Sequence, residues 1–492
     1  MIPRASHRLP DTARVALLDD SHVLGNAAPM GATSSSTNPF LAGNMAPVDV
    51  ETTAVDLTIT GTLPAELCGR YLRNGPNPVT PPNPATYHWF TGTGMVHGIS
   101  LRDGRAEWYR NRWVRNDEVA ATLGEPAPPN PWPADHMSFS ANTNVIGFAG
   151  RTLALVEGGA PPVELDDELA TVTISDLDGS LPYSFSAHPK LDAATGELHV
   201  MAYYWGWGNR VQYLVVGTDG RVRSTRDIEL PGSPMIHDTA ITERYALVFD
   251  LPVLFDMEAA MSGSLPYRWF HDYQPRIGLV PRDDAPNGEA PGIAHDDVQW
   301  FNIDPCYIFH PLNAYDEITP DGGRRVVLDA VRHPKMFDTE RRGPNEGRPR
   351  LDRWVLDLDS GSVSTSTLDD HPQEFPRIRE DLVGRRHRYG YTAGLGSGLS
   401  QDTLCRIDTT TGTVVRRTDN DRMGYGEPVF IPRDGSTAED DGWVMALRHD
   451  RDTDRSDLCV FSADALADDP VAVVHLPVRV PNGFHGNWIA EN

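Results

Sequence analysis

Cysteine is scarce in this 492-residue sequence, and the four cysteines present are far apart at Cys68, Cys306, Cys405 and Cys459. The absence of a Cys-x-x-Cys pair argues against a thiolate zinc site and against a disulfide-rich secreted scaffold. No apolar run is long enough to span a bilayer, and the N-terminal residues do not contain the apolar stretch of a signal peptide. We therefore predict a soluble cytoplasmic protein with reduced thiols.

Positively charged residues are also few. The sequence has 43 Lys and Arg against 69 Asp and Glu, which gives a net charge of −26. A nucleic-acid partner is therefore not expected. Sustained helical heptads and strand–helix–strand alternation are missing as well, which disfavours coiled coils and parallel α/β folds. The sequence does not indicate an oligomeric state.

What the chain does contain is a long series of short apolar or alternating runs that end in turn residues. Stretches such as DLDSGS and DTTTGT between such runs are typical of hairpin turns. Many antiparallel strands predict an all-β fold, either a pair of sandwiches or a closed propeller. Residues 1–37 end in GATSSST and are predicted to be a flexible N-terminal segment, which leaves 38–492 as a single domain.

One segment, YALVFDLPVLFDMEAAM at 245–261, is unusually apolar. Its most apolar positions are Leu251, Val253, Leu254 and Phe255. The segment is either a buried strand followed by a core loop or an exposed apolar lip. A lip would contact a membrane surface peripherally and admit an apolar substrate.

Seventeen histidines are present, and their surroundings divide them. Six stand among charged or turn residues, where a solvated role is expected: His7, His22, His136, His333, His387 and His449. Four others stand in apolar or small-residue settings: His188, His237, His310 and His485. Each of these four, taken singly, reads as an ordinary core histidine.

The four histidines in apolar settings are separated by 49, 73 and 175 residues, so no local element gathers them. The axis of a propeller would, because the innermost strands of all blades converge there. Four neutral imidazoles without a thiolate are unusual for structural zinc and favour a redox-active metal with open positions.

Three glutamates, Glu157, Glu374 and Glu427, also stand in apolar surroundings. Glutamate is rarely buried unless it is paired. These carboxylates are therefore expected to orient metal-binding imidazoles, although each alone is equally consistent with an exposed strand end.

The chain resembles the carotenoid cleavage oxygenases, a family that includes stilbene-cleaving enzymes. The resemblance begins at NPFLAGNMAPV and continues through GRYLRNGPNP, YHWFTGTGMVHG, FSAHPK, MIHDTAIT, IFHPLNAYDE, EFPRI, GEPVFIP and PNGFHGNW. It implies a seven-bladed β-propeller with a non-haem Fe(II) on the axis, capped by a dome of loops and short helices.

The resemblance also implies roles for individual residues. His188, His237, His310 and His485 would ligate the iron. Glu157, Glu374 and Glu427 would hydrogen-bond to His237, His310 and His485, in that order, and His188 would lack such a partner. Thr143 matches a threonine beside the open coordination position. The implied reaction uses O2 to cleave one C=C bond into two carbonyl products, without an organic cofactor.

Two positions bear on the substrate. Stilbene-cleaving relatives have a lysine where this chain has Val156, and one tyrosine of their phenol-binding pair aligns with Trp113. The exchange removes a charged donor and favours an apolar carotenoid or apocarotenoid polyene over a hydroxylated stilbene. A stilbene substrate and a propeller that only binds ligands remain the alternatives, and no residue points to the isomerase that the family also contains.

Overall fold

In the computed structural model, seven antiparallel sheets are arranged as the blades of a propeller around one axis, across the residues that the structure describes. The described residues are 38–262, 264–282, 298–343, 346–396, 401–419 and 422–491. The predicted all-β propeller is confirmed, and the pair of sandwiches is excluded. The predicted N-terminal segment 1–37 lies outside the described residues, so the domain boundary stays a prediction.

The strands of each blade are given from the axis outwards. Blade 1 contains Gly486–Ala490, Gly69–Pro76, Gly94–Arg102, Arg105–Trp113 and Thr53–Val55. Blade 2 contains Asn144–Phe148, Arg151–Leu155, Val163–Leu165 and Thr171–Ile174. Blade 3 contains Lys190–Asp192, Glu197–Tyr203, Arg210–Val216 and Val222–Glu229. Blade 4 contains Ala240–Ile241, Tyr245–Asp250, Arg276–Pro281 and Gln299–Asn302.

The remaining blades follow the same order. Blade 5 contains Pro311–Ile318, Arg324–Arg332, Arg350–Asp357 and Val363–Asp369. Blade 6 contains Gln373–Arg377, Tyr389–Leu395, Gln401–Asp408 and Val414–Thr418. In blade 7 the short strands Met423–Tyr425 and Val429–Pro432 both pair with Gly442–Asp450, followed by Arg455–Ser462, Ala472–His475 and Ile59–Gly61.

The burial of each strand follows its place in the blade. Glu197–Tyr203 lies between two strands and between two neighbouring blades, and all seven of its residues are buried. In the outer strand Val222–Glu229, exposed residues instead alternate with half-buried ones and with the buried Ile228. Apolar runs without alternation therefore mark the middle strands, and alternating runs mark the edges.

The predicted hairpin turns join the last two strands of blades 5 and 6. In each turn an aspartate carboxylate accepts backbone N–H groups, from Ser360 to Asp357 and from Thr410 and Thr411 to Asp408. A glycine with positive φ completes both turns, which explains the DLDSGS and DTTTGT patterns.

Two distant parts of the chain close the ring. Ile59–Gly61 forms the outer edge of blade 7 by pairing with Ala472–His475. Gly486–Ala490 forms the innermost strand of blade 1 by pairing with Gly69–Pro76. The first and last blades are therefore each built from both ends of the described chain.

Short helices and loops connect the strands, and some of them form a dome over one end of the propeller. Within the described residues the α-helices are Asp117–Leu123 and Met257–Met261, and the 3-10 turns are Pro39–Leu41, Gly43–Met45, Trp89–Thr91, Trp205–Trp207, Glu380–Leu382 and Ala463–Ala465. A separate hairpin pairs Val253–Phe255 with Tyr267–Trp269. Among the described helices, none has the length and apolar character needed to cross a membrane.

Candidate metal centre

Each of the seven blades places one polar side chain at or just before the start of its innermost strand. These residues are, in chain order, Thr143, His188, His237, His310, Glu374, Glu427 and His485. Because the inner strands surround the axis, the seven positions face one another across it. The four widely separated histidines meet for this reason.

The four histidines form one buried cluster. None is more than 9% exposed, and one ring nitrogen from each lies within 4.8 Å of the corresponding nitrogens of the others. The Nε2 atoms of His237 and His310 are 3.1 Å apart. Neighbouring imidazole ligands that each lie about 2 Å from an ion are separated by roughly this distance.

A glutamate stands behind three of the four imidazoles. The His237 Nδ1–H donates to Glu157 at 3.1 Å, His310 Nδ1–H donates to Glu374 at 2.6 Å, and His485 Nδ1–H donates to Glu427 at 2.9 Å. A proton held on Nδ1 leaves Nε2 with its lone pair free to bind a metal. The three pairs follow the order implied by the family resemblance.

His188 has a different environment. The carboxylate of Asp238 lies 3.7 Å from its Nδ1, too far for a hydrogen bond, and forms an ion pair with Lys190 at 2.8 Å. The Nε2 atom of His188 is buried and has no hydrogen-bond partner in the described structure. An unsatisfied buried nitrogen that faces three other imidazoles fits the position of a cation ligand.

Two of the glutamates make further hydrogen bonds or ion pairs that fix their carboxylates. Glu374 accepts a hydrogen bond from His333 Nε2 at 2.6 Å and another from the Phe375 N–H at 2.7 Å. Glu427 accepts the Gly486 N–H at 2.8 Å and pairs with Arg377 at 3.2 Å. Both carboxylates therefore sit in fixed orientations, although they are almost fully buried.

The sequence reasoning missed His333. Arg332 and Pro334 flank it in the sequence and suggested a solvated residue, but it is only 2% exposed. His387 and His449 are also buried, so the solvated role expected for these three histidines is wrong. The sequence signal for the burial of His333 is its place just after the apolar run of the strand Arg324–Arg332. In the structure this place lies next to the innermost strand of blade 6.

The electrostatics keep the site ready for a cation. Burial lowers the pKa of His310 to about 3 and holds the pKa of His188 well below its ordinary value, so both rings are neutral at physiological pH. Burial raises the pKa of Glu427, but Arg377 and His485 outweigh it and hold that pKa down at about 2. At His237 burial lowers the pKa, but Glu157 outweighs burial and the pKa is raised. Neutral imidazoles such as His310 beside a charged carboxylate suit a divalent metal.

Thr143 and two glycines bring His485 to the axis. The Thr143 carbonyl accepts the backbone N–H of His485 at 3.0 Å, and its hydroxyl donates to Asn142 at 2.9 Å. A side chain on Gly483 would overlap the Arg73 guanidinium, and one on Gly486 would lie 2.6 Å from a backbone carbonyl. The segment containing His485 can approach the first blade only because both positions are glycine.

A cavity of about 360 Å³ leads to the histidines from the side of the dome. It reaches His237, His310, His485 and Thr143, and its other walls are largely apolar: Phe90, Val156, Trp205, Tyr267, Phe309, Phe375, Leu395 and Phe484. Among the described residues that line it, none is a lysine or an arginine. We call it the dome cavity.

Val156 lines the dome cavity as expected, but Trp113 does not. Trp113 is buried against Met95 and Val119, and its indole N–H donates to the Asn77 carbonyl at 2.8 Å. The assignment of Trp113 to the substrate pocket is therefore wrong. The residue ends a strand of blade 1, and its side chain faces a different core.

The predicted apolar lip is also corrected. Leu251 and Val253 are 1% and 0% exposed and belong to the main hydrophobic core, so they cannot touch a membrane. Leu254 is half-buried, and Phe255 is half-buried and stacks on Trp205 with ring centres 5.4 Å apart. The exposed apolar residues of this region are Met257 and Met261, at the C-terminal end of the predicted segment, and Trp205 and Phe139, which line the dome cavity.

Comparison with known proteins identifies the family. The sequence pattern of the retinal pigment epithelial membrane protein (RPE65) family matches residues 45–490. The chain belongs to the carotenoid cleavage oxygenase family. It is therefore an oxidoreductase of a family of non-haem iron dioxygenases.

Two curated relatives support this assignment. A carotenoid cleavage oxygenase from Mycobacterium tuberculosis is 45% identical over 92% of this chain and 98% of its own length. A carotenoid 9,10(9',10')-cleavage dioxygenase from Crocus sativus is 32% identical over 92% of this chain and 89% of its own length.

Two solved structures are similar to the structure of this family member. A lignostilbene dioxygenase from Pseudomonas brassicacearum has a TM-score of 0.81 and 29% identity and covers 92% of this chain and 98% of its own. A cobalt-substituted ACO (apocarotenoid oxygenase) from Synechocystis has a TM-score of 0.78 and 25% identity and covers 90% of this chain and 97% of its own.

Proposed function

We propose that this protein is an Fe(II)-dependent dioxygenase that cleaves one C=C bond of a carotenoid or apocarotenoid with O2. The products are two carbonyl compounds, and each takes one oxygen atom of O2. The observation that supports this proposal most strongly is the cluster of four buried histidines at the inner end of an apolar cavity.

His188, His237, His310 and His485 would hold the metal through their free ring nitrogens. A ferrous ion held there would supply the activation of O2 and its delivery to an electron-rich double bond. Glu157, Glu374 and Glu427 keep a proton on Nδ1 of their histidines and so keep Nε2 available. Thr143 lines the dome cavity beside the cluster, on the side where the substrate approaches.

The walls of the dome cavity favour a polyene. Aromatic and aliphatic side chains exclude water and match a long apolar substrate. Val156 stands where a phenol-binding lysine would be needed, and a site without a positive donor does not select for a hydroxyl group. The names of the M. tuberculosis and C. sativus relatives agree with a carotenoid, whereas the lignostilbene dioxygenase keeps a hydroxylated stilbene as the second candidate.

The test begins with metal-free protein that is loaded anaerobically with Fe(II). The loaded protein is then exposed to ¹⁸O2 with an apocarotenal or with a hydroxystilbene, and the products are identified by mass. Two labelled carbonyl products from the apocarotenal are expected. Cleavage of the stilbene alone would agree with the iron site but contradict the substrate argument from Val156. The absence of product from both substrates would contradict the proposed reaction.

An exposed apolar surface near the dome cavity also supports peripheral contact with a membrane, where such polyenes reside. Met257 and Met261 lie one turn apart on the same face of their helix and are 57% and 82% exposed. Trp205 stands beside them through its stacking on Phe255. An exposed apolar rim around an apolar cavity lets a substrate leave the bilayer without crossing water.

A further inference from the structure

The four-histidine cluster separates two cavities, and the second has a more polar wall than the first. The dome cavity touches His237, His310 and His485. A second cavity of about 110 Å³ touches His188, His310 and His485. A metal ion held by the cluster would therefore be reachable from both.

The second cavity lies along the propeller axis. The histidines stand at the start of the inner strands, and this cavity is lined by residues that follow them along those strands, such as Lys190, Ile241, Asn313 and Asn487. Six of the seven blades contribute an inner-strand residue to its wall in this way. We call it the axial cavity, and it extends away from the dome.

The wall of the axial cavity is mixed, and about half of its residues are polar or charged. The Glu380 carboxylate, with its side chain 53% exposed, pairs with Arg377 at 2.7 Å. Arg377 in turn contacts Glu427, which binds His485. A continuous chain of charged groups therefore runs from solvent to a histidine of the cluster.

A second polar chain reaches His188. Lys190 is partly exposed and pairs with the buried Asp238 at 2.8 Å. Asp238 is the carboxylate nearest to His188. The histidine without a glutamate therefore also has a charged pair beside it in the axial cavity.

We propose that the axial cavity is the route by which a hydrated divalent metal ion reaches the four histidines. The inference rests on the proposed iron site. A divalent cation loses much of its hydration in an apolar passage, which makes the aromatic dome cavity a costly path. Carboxylates and amides along the axial cavity replace lost water ligands, so the metal and the polyene use separate openings.

The two cavities offer a matched pair of charge variants. Glu380 is an exposed glutamate that lines the axial cavity, and Glu118 is an exposed glutamate that lines the dome cavity. Glu380→Gln should slow metal uptake about three- to tenfold, the scale of one carboxylate's attraction for a divalent ion near water. Glu118→Gln should leave the rate of uptake unchanged.

A third variant should act in the opposite direction. Lys190→Met removes the positive charge beside Asp238, so it should speed cation uptake. If these residues had only a structural role, removing the negative charge of Glu380 would not slow metal uptake while removing the positive charge of Lys190 speeds it. The effect of Glu380→Gln should also shrink at high salt, because screening weakens the attraction.

The experiment mixes metal-free protein with Co(II) in a stopped-flow instrument and follows the visible absorption of the bound ion. Cobalt is a suitable probe because the similar Synechocystis structure is cobalt-substituted. A route affects the rates of uptake and release but not the final occupancy, so the equilibrium cobalt content of all variants should match that of the wild type.

Two results would overturn the proposal. Slower uptake in Glu118→Gln with normal uptake in Glu380→Gln would place the route through the dome cavity. Equal uptake in all variants would show that the axial cavity does not carry the metal. Failure of the wild type to bind cobalt at all is a separate outcome, since it would contradict the metal site itself.

Discussion

Replacing Glu374 by glutamine should weaken divalent-metal binding by about 10–100-fold. The two carboxylate oxygens hold two imidazoles, His310 and His333, each at 2.6 Å. Glutamine keeps the shape of the side chain but has one acceptor oxygen and no charge. Its amide group must therefore face one of the two rings, and the ring of His310 loses a charged partner in either orientation.

The magnitude follows from the hydrogen bond that changes. A hydrogen bond to a charged group contributes about 1.5–3 kcal/mol, and a neutral one about half of that. The loss of one negative charge near a bound cation adds to this difference. The sum is on the order of 1.4–2.8 kcal/mol, which corresponds to the 10–100-fold range.

The assay is a titration of metal-free protein with Co(II) in competition with a chelator of known affinity. Asp329→Asn is the matched control, because Asp329 is fully buried and contacts His387 at 3.3 Å but lines neither the dome nor the axial cavity. It should lose stability without losing metal affinity. Wild-type affinity in Glu374→Gln, or an equal loss in Asp329→Asn, would refute the argument that Glu374 acts by orienting a metal-binding ring.

Four further outcomes are expected. His237→Ala should lose bound metal while its thermal unfolding midpoint changes little, and full cobalt content in this variant would remove His237 from the ligand set. Gly483→Ala should lower both the unfolding midpoint and the metal content, because its methyl group would overlap a guanidinium of the facing strand. Normal values of both would show that the segment containing His485 does not need glycine at this position. Met261→Asp should reduce co-sedimentation with liposomes by about threefold or more, whereas the control Ile318→Asp, at another exposed apolar residue, should not. Val156→Lys should shift the ratio of kcat/KM values from apocarotenal towards hydroxystilbene by about tenfold or more, and an unchanged ratio would contradict the role given to this wall.

The fold could be predicted because local patterns and topology agree. Turn aspartates and glycines mark the outer hairpins, and residues such as Val200 and Leu214 lie in strands whose faces are both covered. The number of blades does not follow from these patterns, since spacing alone also fits a pair of sandwiches. It came from the family resemblance, which the structure confirms.

The site could be anticipated only where a residue's neighbours reflect its surroundings. His310 and His485 follow apolar side chains in the sequence and do lie at the axis, although their role as ligands stays a prediction. His333 follows an arginine and precedes a proline, and these neighbours do not indicate its contact with Glu374, which is 41 residues away. Trp113 shows the opposite failure: its residue type suggested a pocket, but the direction of its side chain is set by the strand that carries it.

The way the ring closes ties the completion of the metal site to the order of synthesis. Three of the four histidines emerge with blades 3, 4 and 5, but His485 belongs to the strand that completes blade 1 after all the other blades have been made. A chain that stops before residue 485 would keep most of its hydrophobic core yet have neither the closing strand nor the fourth imidazole. A translation product cut short there would therefore lack one of the four histidines that we propose to hold the metal.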